Sequence, residues 1–292
     1  MNIVLGSAQF GLDYGISNTK GISSEDEVVK ILQYANSAGI DTIDSASQYG
    51  KSESVIGRCV DQNSNWNIIT KTPSFKGGSI NTSDATHLSD KFKLSLENLN
   101  LKKNYGLLIH SCDDLFKPGG DLLFREMEKL KSKGLVSNIG VSLYTSNQID
   151  NILDRYNVDI IQLPINILDQ NLYTNGWLKK IKNSNVEIHA RSVFLQGLLI
   201  MPESAIPDYF LPIKSQLDKF RKLSKSLHLS QLELALSYIS SIDEIDSVVV
   251  GVNTVEQLKG IVNSKLLNIN MNLFDNTSVK NSYFTNPSNW KV

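Results

Sequence analysis

One feature constrains this chain more than any other: a short β-branched or apolar run followed by a longer segment of helical periodicity, eight times in succession. The runs 3–8 (IVLGSA), 41–46 (DTIDSA), 67–72 (NIITKT), 106–111 (GLLIHS), 137–142 (SNIGVS), 159–166 (DIIQLPIN), 186–194 (VEIHARSVF) and 246–252 (DSVVVGV) read as strands. Helical patterns follow at 24–39, 52–60, 85–99, 121–134, 146–156, more weakly near 172–183, near 212–226 and 230–241, and at 254–263. In the first of these, Val28, Ile31, Leu32 and Ala35 share one face. Ser24 stands three residues before Glu27 in a capping-box spacing, and Gly39 suits the stop. Strands that alternate with helices form parallel sheets through right-handed crossovers, and eight such units close without leaving an edge. The expectation is an α/β chain folded as a (β/α)8 TIM barrel, a single domain over residues 1–292. An open, doubly wound sheet would place a GxGxxG phosphate loop after the first strand, where this chain reads GSAQFGLDYG. The polar, Asn-rich segment 266–292 is expected to be a C-terminal tail packing on or near the barrel, with Tyr283, Phe284 and Trp290 as anchors.

Bulk properties narrow the function classes. A net charge of −1 gives no field that would attract nucleic acid or an anionic membrane. The two cysteines, Cys59 and Cys112, lie far apart and outside any CxxC, which suits a reducing compartment. No signal peptide or membrane span is apparent, so a cytoplasmic location is expected. His87, His110, His189 and His228 have no metal-ligand spacing, and no metal is expected. Nothing in the sequence indicates an oligomeric state.

In barrels of this kind chemistry gathers at the C-terminal ends of the strands. Asp44 ends the second strand, Lys71 the third and His110 the fourth, while Tyr49 lies in the loop after the second. Each has an ordinary structural reading: a loop-capping carboxylate, a solvated lysine, a satisfied core histidine. Their arrival together at one rim points instead to a proton-transfer site. A phenol has a pKa of about 10 and donates poorly unless a cation stabilises its anion. Lys71 is expected to supply that cation, Asp44 to hold Lys71, and His110 to orient a substrate oxygen. Such a site protonates a carbonyl oxygen but has no reductant of its own, so a nicotinamide is implied.

These residues are the ones in which the sequence resembles the aldo-keto reductase family. The segment IDSASQYGKSESVIG (43–57) is its most specific piece, followed in order by ITK, LIHS and IGVS. The resemblance extends from GSAQFGLDYGI to VVVGVNTVEQL. It implies that Asp44, Tyr49, Lys71 and His110 form the catalytic group, with Tyr49 as proton donor. It further implies that Ser142 and Gln162 hold the nicotinamide carboxamide, and that Arg191, Ser192 and Gly197 lie along nicotinamide and pyrophosphate. Leu143 stands where many members have Asn, and Arg191 where a Tyr often stacks on the nicotinamide.

Gly251, Asn253, Thr254 and Gln257 fall where many members grip a cofactor 2′-phosphate. Gly251 and Gln257 replace the usual Lys and Arg, and Gly260-Ile261 the pair that often reads adenine. NADPH is the cofactor the resemblance favours, with Lys259 or Lys265 as substitute cations and NADH as the other dinucleotide. The substrate is a small carbonyl compound, polar or sugar-like if Phe10, Asp13, Tyr14, Cys112, Asp113, Asp114 and loop 195–211 line the pocket. A catalytically weak nicotinamide-binding sensor or accessory subunit on the same barrel is the alternative. A Schiff-base lyase or isomerase using Lys71 is a further one.

Overall fold

The structure is a computed structural model and describes residues 2–61 and 65–290. Eight parallel strands follow one another around a closed barrel. They are β1 (Asn2–Gly6), β2 (Thr42–Asp44), β3 (Asn67–Lys71), β4 (Asn104–Ile109), β5 (Val136–Ser142), β6 (Ile160–Pro164), β7 (Glu187–Arg191) and β8 (Ser247–Gly251). Closure is made by β1 and β8, registered from Asn2 on Ser247 to Gly6 on Gly251.

The helices are α1 (Glu25–Ser37), α2 (Ser52–Cys59), α3 (Thr82–Asn98), α4 (Asp121–Ser132), α5 (Ser146–Arg155), α6 (Asn171–Thr174), α7 (Trp177–Asn183), α8 (Lys214–Ser226), α9 (Gln231–Ser240), α10 (Val255–Val262) and α11 (Ser282–Thr285). Ile69, Leu108 and Ile160, with Tyr105 against them, fill the inside of the barrel. The main core lies between the outer strand faces and the helix ring: Val28, Ile31, Leu32 and Ala35 of α1 pack there. Among the described residues no helix is long and apolar enough to cross a membrane.

Several boundaries differ from the sequence expectation for identifiable reasons. The helix expected near 172–183 is two pieces, because Gly176 takes a left-handed φ of 75° between α6 and α7. The helix expected from 85 begins at Thr82, where Asn81 and Asp84 form a reciprocal capping box. The helix expected from 212 begins at Lys214, since Pro212 lies in a 3₁₀ segment ahead of it. Strands expected to reach 166 and 194 stop at Pro164 and Arg191. Only half of the capping box at Ser24 forms. Its Oγ accepts from the Glu27 N–H at 3.3 Å, but the Glu27 carboxylate turns away to accept from the Val255 N–H at 2.8 Å, tying α1 to α10.

The tail crosses the loop after β6. Gln170 Nε2 donates to the carbonyls of Ile167 (2.7 Å) and Phe274 (3.0 Å) and to Thr277 Oγ1 (3.0 Å). Val279 N donates to the Leu168 carbonyl at 2.8 Å. Farther on, Trp290 meets the Phe210 ring edge-on at 4.9 Å. The last two residues of the expected tail lie outside the described residues.

Candidate active site

Strand register explains why the polar residues converge. Ile69 faces the barrel interior, and the two-residue period of a strand puts Lys71 on the same face. Asp44 is the register partner of Ile69 on the neighbouring strand. The same period carries the inner face from Leu108 to His110 and from Ile160 to Gln162. Gln162 is in turn level with Ser142 and His189, and Arg191 lies two residues beyond His189. Asp44, Lys71, His110, Ser142 and Arg191 end or follow their strands at the C-terminal rim.

Lys71 and Asp44 form a buried ion pair, their side chains 1% and 4% exposed. Lys71 Nζ donates to Asp44 Oδ1 at 2.7 Å, to Oδ2 at 2.6 Å and to the Ser45 carbonyl at 2.9 Å, so its three protons are satisfied. Gln162 Nε2 donates to Asp44 Oδ1 at 2.8 Å. Burial pulls the Lys71 ammonium below its ordinary range, and the Asp44 charge opposes that pull.

The Tyr49 ring centre lies 5.2 Å from Lys71 Nζ, and the His110 ring meets Tyr49 edge-on at 5.9 Å. The sequence reading has Lys71 acidifying the phenol, but the resting site differs. Burial first, and then the Asp44 charge, hold the Tyr49 hydroxyl well above its ordinary value. With both carboxylate oxygens on the ammonium, the pair presents little net charge to the ring, and the phenol stays protonated at neutral pH. His110 is also neutral there: burial, followed by the Lys71 charge, lowers it to about 4. Its backbone N–H is held by Thr72 Oγ1 at 3.2 Å, and its buried Nδ1 has no hydrogen-bond partner among the described residues.

Two glycines fix the loop that carries Tyr49. A Cβ on Gly11 would stand 2.0 Å from the Tyr49 carbonyl oxygen, and one on Gly50 2.4 Å from the Gly11 oxygen. Gly50 also takes a left-handed φ of 57°. The loop after β1 therefore crosses the loop after β2 backbone against backbone. Buried hydroxyls fasten the crossing: Ser52 Oγ donates to the Ser7 carbonyl at 2.8 Å, and Ser7 Oγ to the Asp44 carbonyl at 3.0 Å. Sequence reading missed Ser7, Ser45 and Ser52, whose partners lie on other strands and loops.

The residues assigned to a cofactor fall into two groups. Ser142 and Gln162 are buried beside Asp44's strand-end cluster, with the Gln162 amide nitrogen engaged by Asp44. Arg191 stacks on the Tyr144 ring at 4.2 Å, and Ser192 has a left-handed φ of 59°. Gly197 (φ 94°) leaves room for Ser17, whose Oγ a Cβ would meet at 1.8 Å.

The second group turns inward. Gln257 Oε1 accepts from the Asn253 N–H (2.7 Å), Thr254 Oγ1 caps the Gln257 N–H (3.3 Å), and Asn253 Nδ2 donates to the Gly21 carbonyl (3.0 Å). These polar groups bond within the start of α10 and to the loop at Gly21. Lys259, the suggested substitute cation, lies over the Tyr34 ring at 5.7 Å. Gly251 lies against the Gln9 amide, which a Cβ would meet at 2.6 Å; Gln9 Oε1 is buried without a hydrogen-bond partner among the described residues. The orphaned His110 Nδ1, together with the inward-facing Ser142 and Gln162, suits a polar aromatic amide such as nicotinamide.

Part of the expected pocket is structural. Phe10 is core at 1% exposure. Asp114 accepts from the Phe75 N–H (3.1 Å) and Lys117 (2.6 Å), and Cys112 is buried, which raises its thiol pKa. Asp113 accepts from Gln148 Nε2 at 2.7 Å, and Asp13 from Asn18 Nδ2 at 2.9 Å. Tyr14 remains at the mouth, exposed and 3.4 Å from Gln196 Nε2. His189 is in β7 as expected, while His87 is exposed on α3 and His228 lies just past α8.

Known proteins resemble this chain over most of its length. It is 24% identical over 266 residues to an uncharacterized oxidoreductase, YqkF, of Bacillus subtilis, covering 85% of this chain and 83% of that protein. It is 26% identical over 289 residues to D-arabinose 1-dehydrogenase of Saccharomyces cerevisiae, covering 88% and 80%. The solved holo form of aldo-keto reductase AKR11C1 from Bacillus halodurans superposes with a TM-score of 0.75 at 21% identity, over 94% of this chain and 90% of that one. The model of the Aldo/keto reductase family matches residues 2–275, and the chain belongs to that family: it is an oxidoreductase of small carbonyl compounds that works with a nicotinamide dinucleotide.

Proposed function

We propose that this protein reduces an aldehyde or ketone to an alcohol, with Tyr49 as the proton donor. The observation that carries the reading is the buried Lys71–Asp44 pair with Tyr49 beside it and His110 against the Tyr49 ring. A reduced nicotinamide, once bound, supplies the hydride that no side chain can. Tyr49 keeps its proton at rest and gives it to the carbonyl oxygen as negative charge develops there. Lys71 then stands near the phenolate left behind, and the attraction between them grows only as that charge appears. Neutral His110 presents a ring N–H or an acceptor to the same oxygen and fixes its direction. Ser142, Gln162, Arg191, Ser192 and Gly197 are proposed to border the dinucleotide, with Gly251, Asn253, Thr254 and Gln257 at its far end.

A polyhydroxylated or sugar-like carbonyl is the proposed substrate class. It is supported by the name of the yeast relative, D-arabinose 1-dehydrogenase, and by the polar rim around Tyr14 and Gln196. NADPH is the dinucleotide favoured by the family resemblance. One observation favours NADH instead: at the start of α10 the Val255 N–H is already taken by the Glu27 carboxylate. A 2′-phosphate there meets a like charge. Titrating protein fluorescence with each dinucleotide separates the two readings by their dissociation constants.

Tyr49→Phe removes only the acidic hydroxyl. The expected outcome is a loss of about 10²–10⁴ in turnover with dinucleotide binding and melting temperature retained. An unchanged rate removes Tyr49 from its role. Stoichiometric dinucleotide binding without oxidation across an aldehyde panel favours the sensor reading.

A further inference from the structure

The loop that carries Tyr49 is tied to β3 on both sides of that residue. Before it, Ser47 Oγ donates to the Lys71 carbonyl at 2.9 Å, and the Ser47 N–H reaches the same oxygen at 3.4 Å. After it, Glu53 in the first turn of α2 accepts from Thr70 Oγ1 at 2.6 Å. Thr70 and Lys71 are the last two residues of β3. Strand alternation turns Lys71 into the barrel and Thr70 outward, toward the helices. Between the two ties the chain makes two tight turns. The Tyr49 N–H donates to the Ala46 carbonyl at 3.0 Å, and the Ser52 N–H to the Tyr49 carbonyl at 3.0 Å. The segment 47–53 therefore has little slack.

Glu53 is a costly residue with which to pack a helix against a strand. It is 5% exposed and Thr70 1%. Among the described residues no Lys, Arg or His nitrogen lies within 4.0 Å of its carboxyl oxygens. An apolar side chain of similar volume would fill the same space without desolvating a polar group. What the carboxyl adds is direction. A bond of 2.6 Å, at the short end for O–H···O, fixes where the start of α2 stands relative to β3.

The distance at stake is the 5.2 Å between the Tyr49 ring centre and Lys71 Nζ. Lys71 is held from inside the barrel by Asp44 and the Ser45 carbonyl. The place of the phenol relative to that ammonium is then set by the ties of its own loop. Both the aim of a proton and the field on the phenolate left behind depend on that placement.

We propose that Ser47 and the Glu53–Thr70 pair form a clamp that positions Tyr49 against Lys71. All three are positioning residues: they act through Tyr49 and not on the substrate. This rests on the carbonyl-reductase reading above and adds to it the device that holds the proton donor in place.

The test uses Thr70→Val, which keeps the branching and removes the hydroxyl, Thr70→Ser, which keeps the hydroxyl, and Ser47→Ala, which opens the other tie. Reduction of 4-nitrobenzaldehyde is followed at a saturating concentration of whichever dinucleotide binds, with a dinucleotide dissociation constant and a melting curve for each variant. Thr70→Val is expected to lower kcat about 10- to 100-fold with the dissociation constant unchanged. Thr70→Ser is expected to recover most of that loss. The deciding measurement is a cycle with Tyr49→Phe. A clamp that acts through the phenol has nothing left to aim once the hydroxyl is gone, so Thr70→Val should cost no further rate in that background. An unchanged kcat in Thr70→Val overturns the proposal. So does the same fold-loss in both backgrounds, which assigns the pair to stability alone. If Thr70→Val does not fold, Ser47→Ala carries the same cycle with the same outcomes.

If wild type reduces no aldehyde, the reductase reading has failed separately. The clamp is then read by amide hydrogen exchange over residues 47–53. Exchange at least about tenfold faster in Thr70→Val, slowed again in Thr70→Ser, supports it. Equal exchange in wild type and both variants overturns it.

Discussion

Removing one member of the Lys71–Asp44 pair should be far more damaging than removing both. At 2.6 Å and an effective dielectric near 20, the attraction is about 6 kcal/mol. Desolvating two ions costs several kcal/mol each, so the pair as a whole contributes little to stability. Asp44→Asn leaves the ammonium buried without a counter-charge, and Lys71→Met leaves the carboxylate held by Gln162 alone. Each single variant is expected to lose about 3–5 kcal/mol, whereas the double variant should lose under about 2 kcal/mol. The interaction energy of the cycle is then at least about 4 kcal/mol.

Urea denaturation of the four proteins measures it. A second signature comes from pH. With Asp44 gone, burial acts on Lys71 unopposed, and its folded pKa falls farther below the unfolded value of about 10.4. The unfolded chain then binds the proton more tightly than the folded one, so stability of Asp44→Asn rises with pH. Its deficit should be largest below the folded Lys71 pKa and shrink toward pH 9–10. Additive single losses, or a deficit that ignores pH, would refute the reasoning that the pair is mutually compensating.

Two further outcomes follow from the site. Gly11→Ala brings a methyl within 2.0 Å of the Tyr49 carbonyl oxygen. We expect a stability loss of about 1–3 kcal/mol in urea and a fall in kcat/KM of up to about 100-fold, because the loop carrying the proton donor must move. His110 is held neutral down to about 4, against about 6.5 in an unfolded chain. The contribution of this residue is complete above the unfolded value and is lost as pH falls toward the folded one, by up to about 3 kcal/mol. His110→Gln should flatten the urea-stability profile between those limits, and an unaltered slope would contradict the burial of a neutral imidazole.

The barrel was legible because its signal is local: β-branched runs and helical stripes report their own structure within a few residues. Asp44, Lys71 and His110 were legible as a group for the same reason, since strand ends in a parallel barrel share a rim. What the sequence did not disclose are pairings across long separations. Gln162 meets Asp44 at a separation of 118 residues, and Glu27 leaves its own helix start for Val255, 228 residues on. No spacing rule encodes such partners. The Lys71–Asp44 pair was anticipated, but the burial that holds the Tyr49 proton at rest depends on the packing of the whole rim and is not written in the spacing. The bonds that Asn253, Thr254 and Gln257 make at the start of α10 were likewise not legible, because they depend on loop geometry.

Asp44, Tyr49, Lys71 and His110 all arise between the second and fourth strands, whereas Arg191, Tyr144 and Gln196 belong to later strands and their loops. The proposed proton donor with its neighbours and the residues proposed to border the dinucleotide are therefore written in separate stretches of one polypeptide. On that proposal, exchange of the later stretch between homologues would alter the dinucleotide accepted while the proton donor and its neighbours are inherited intact.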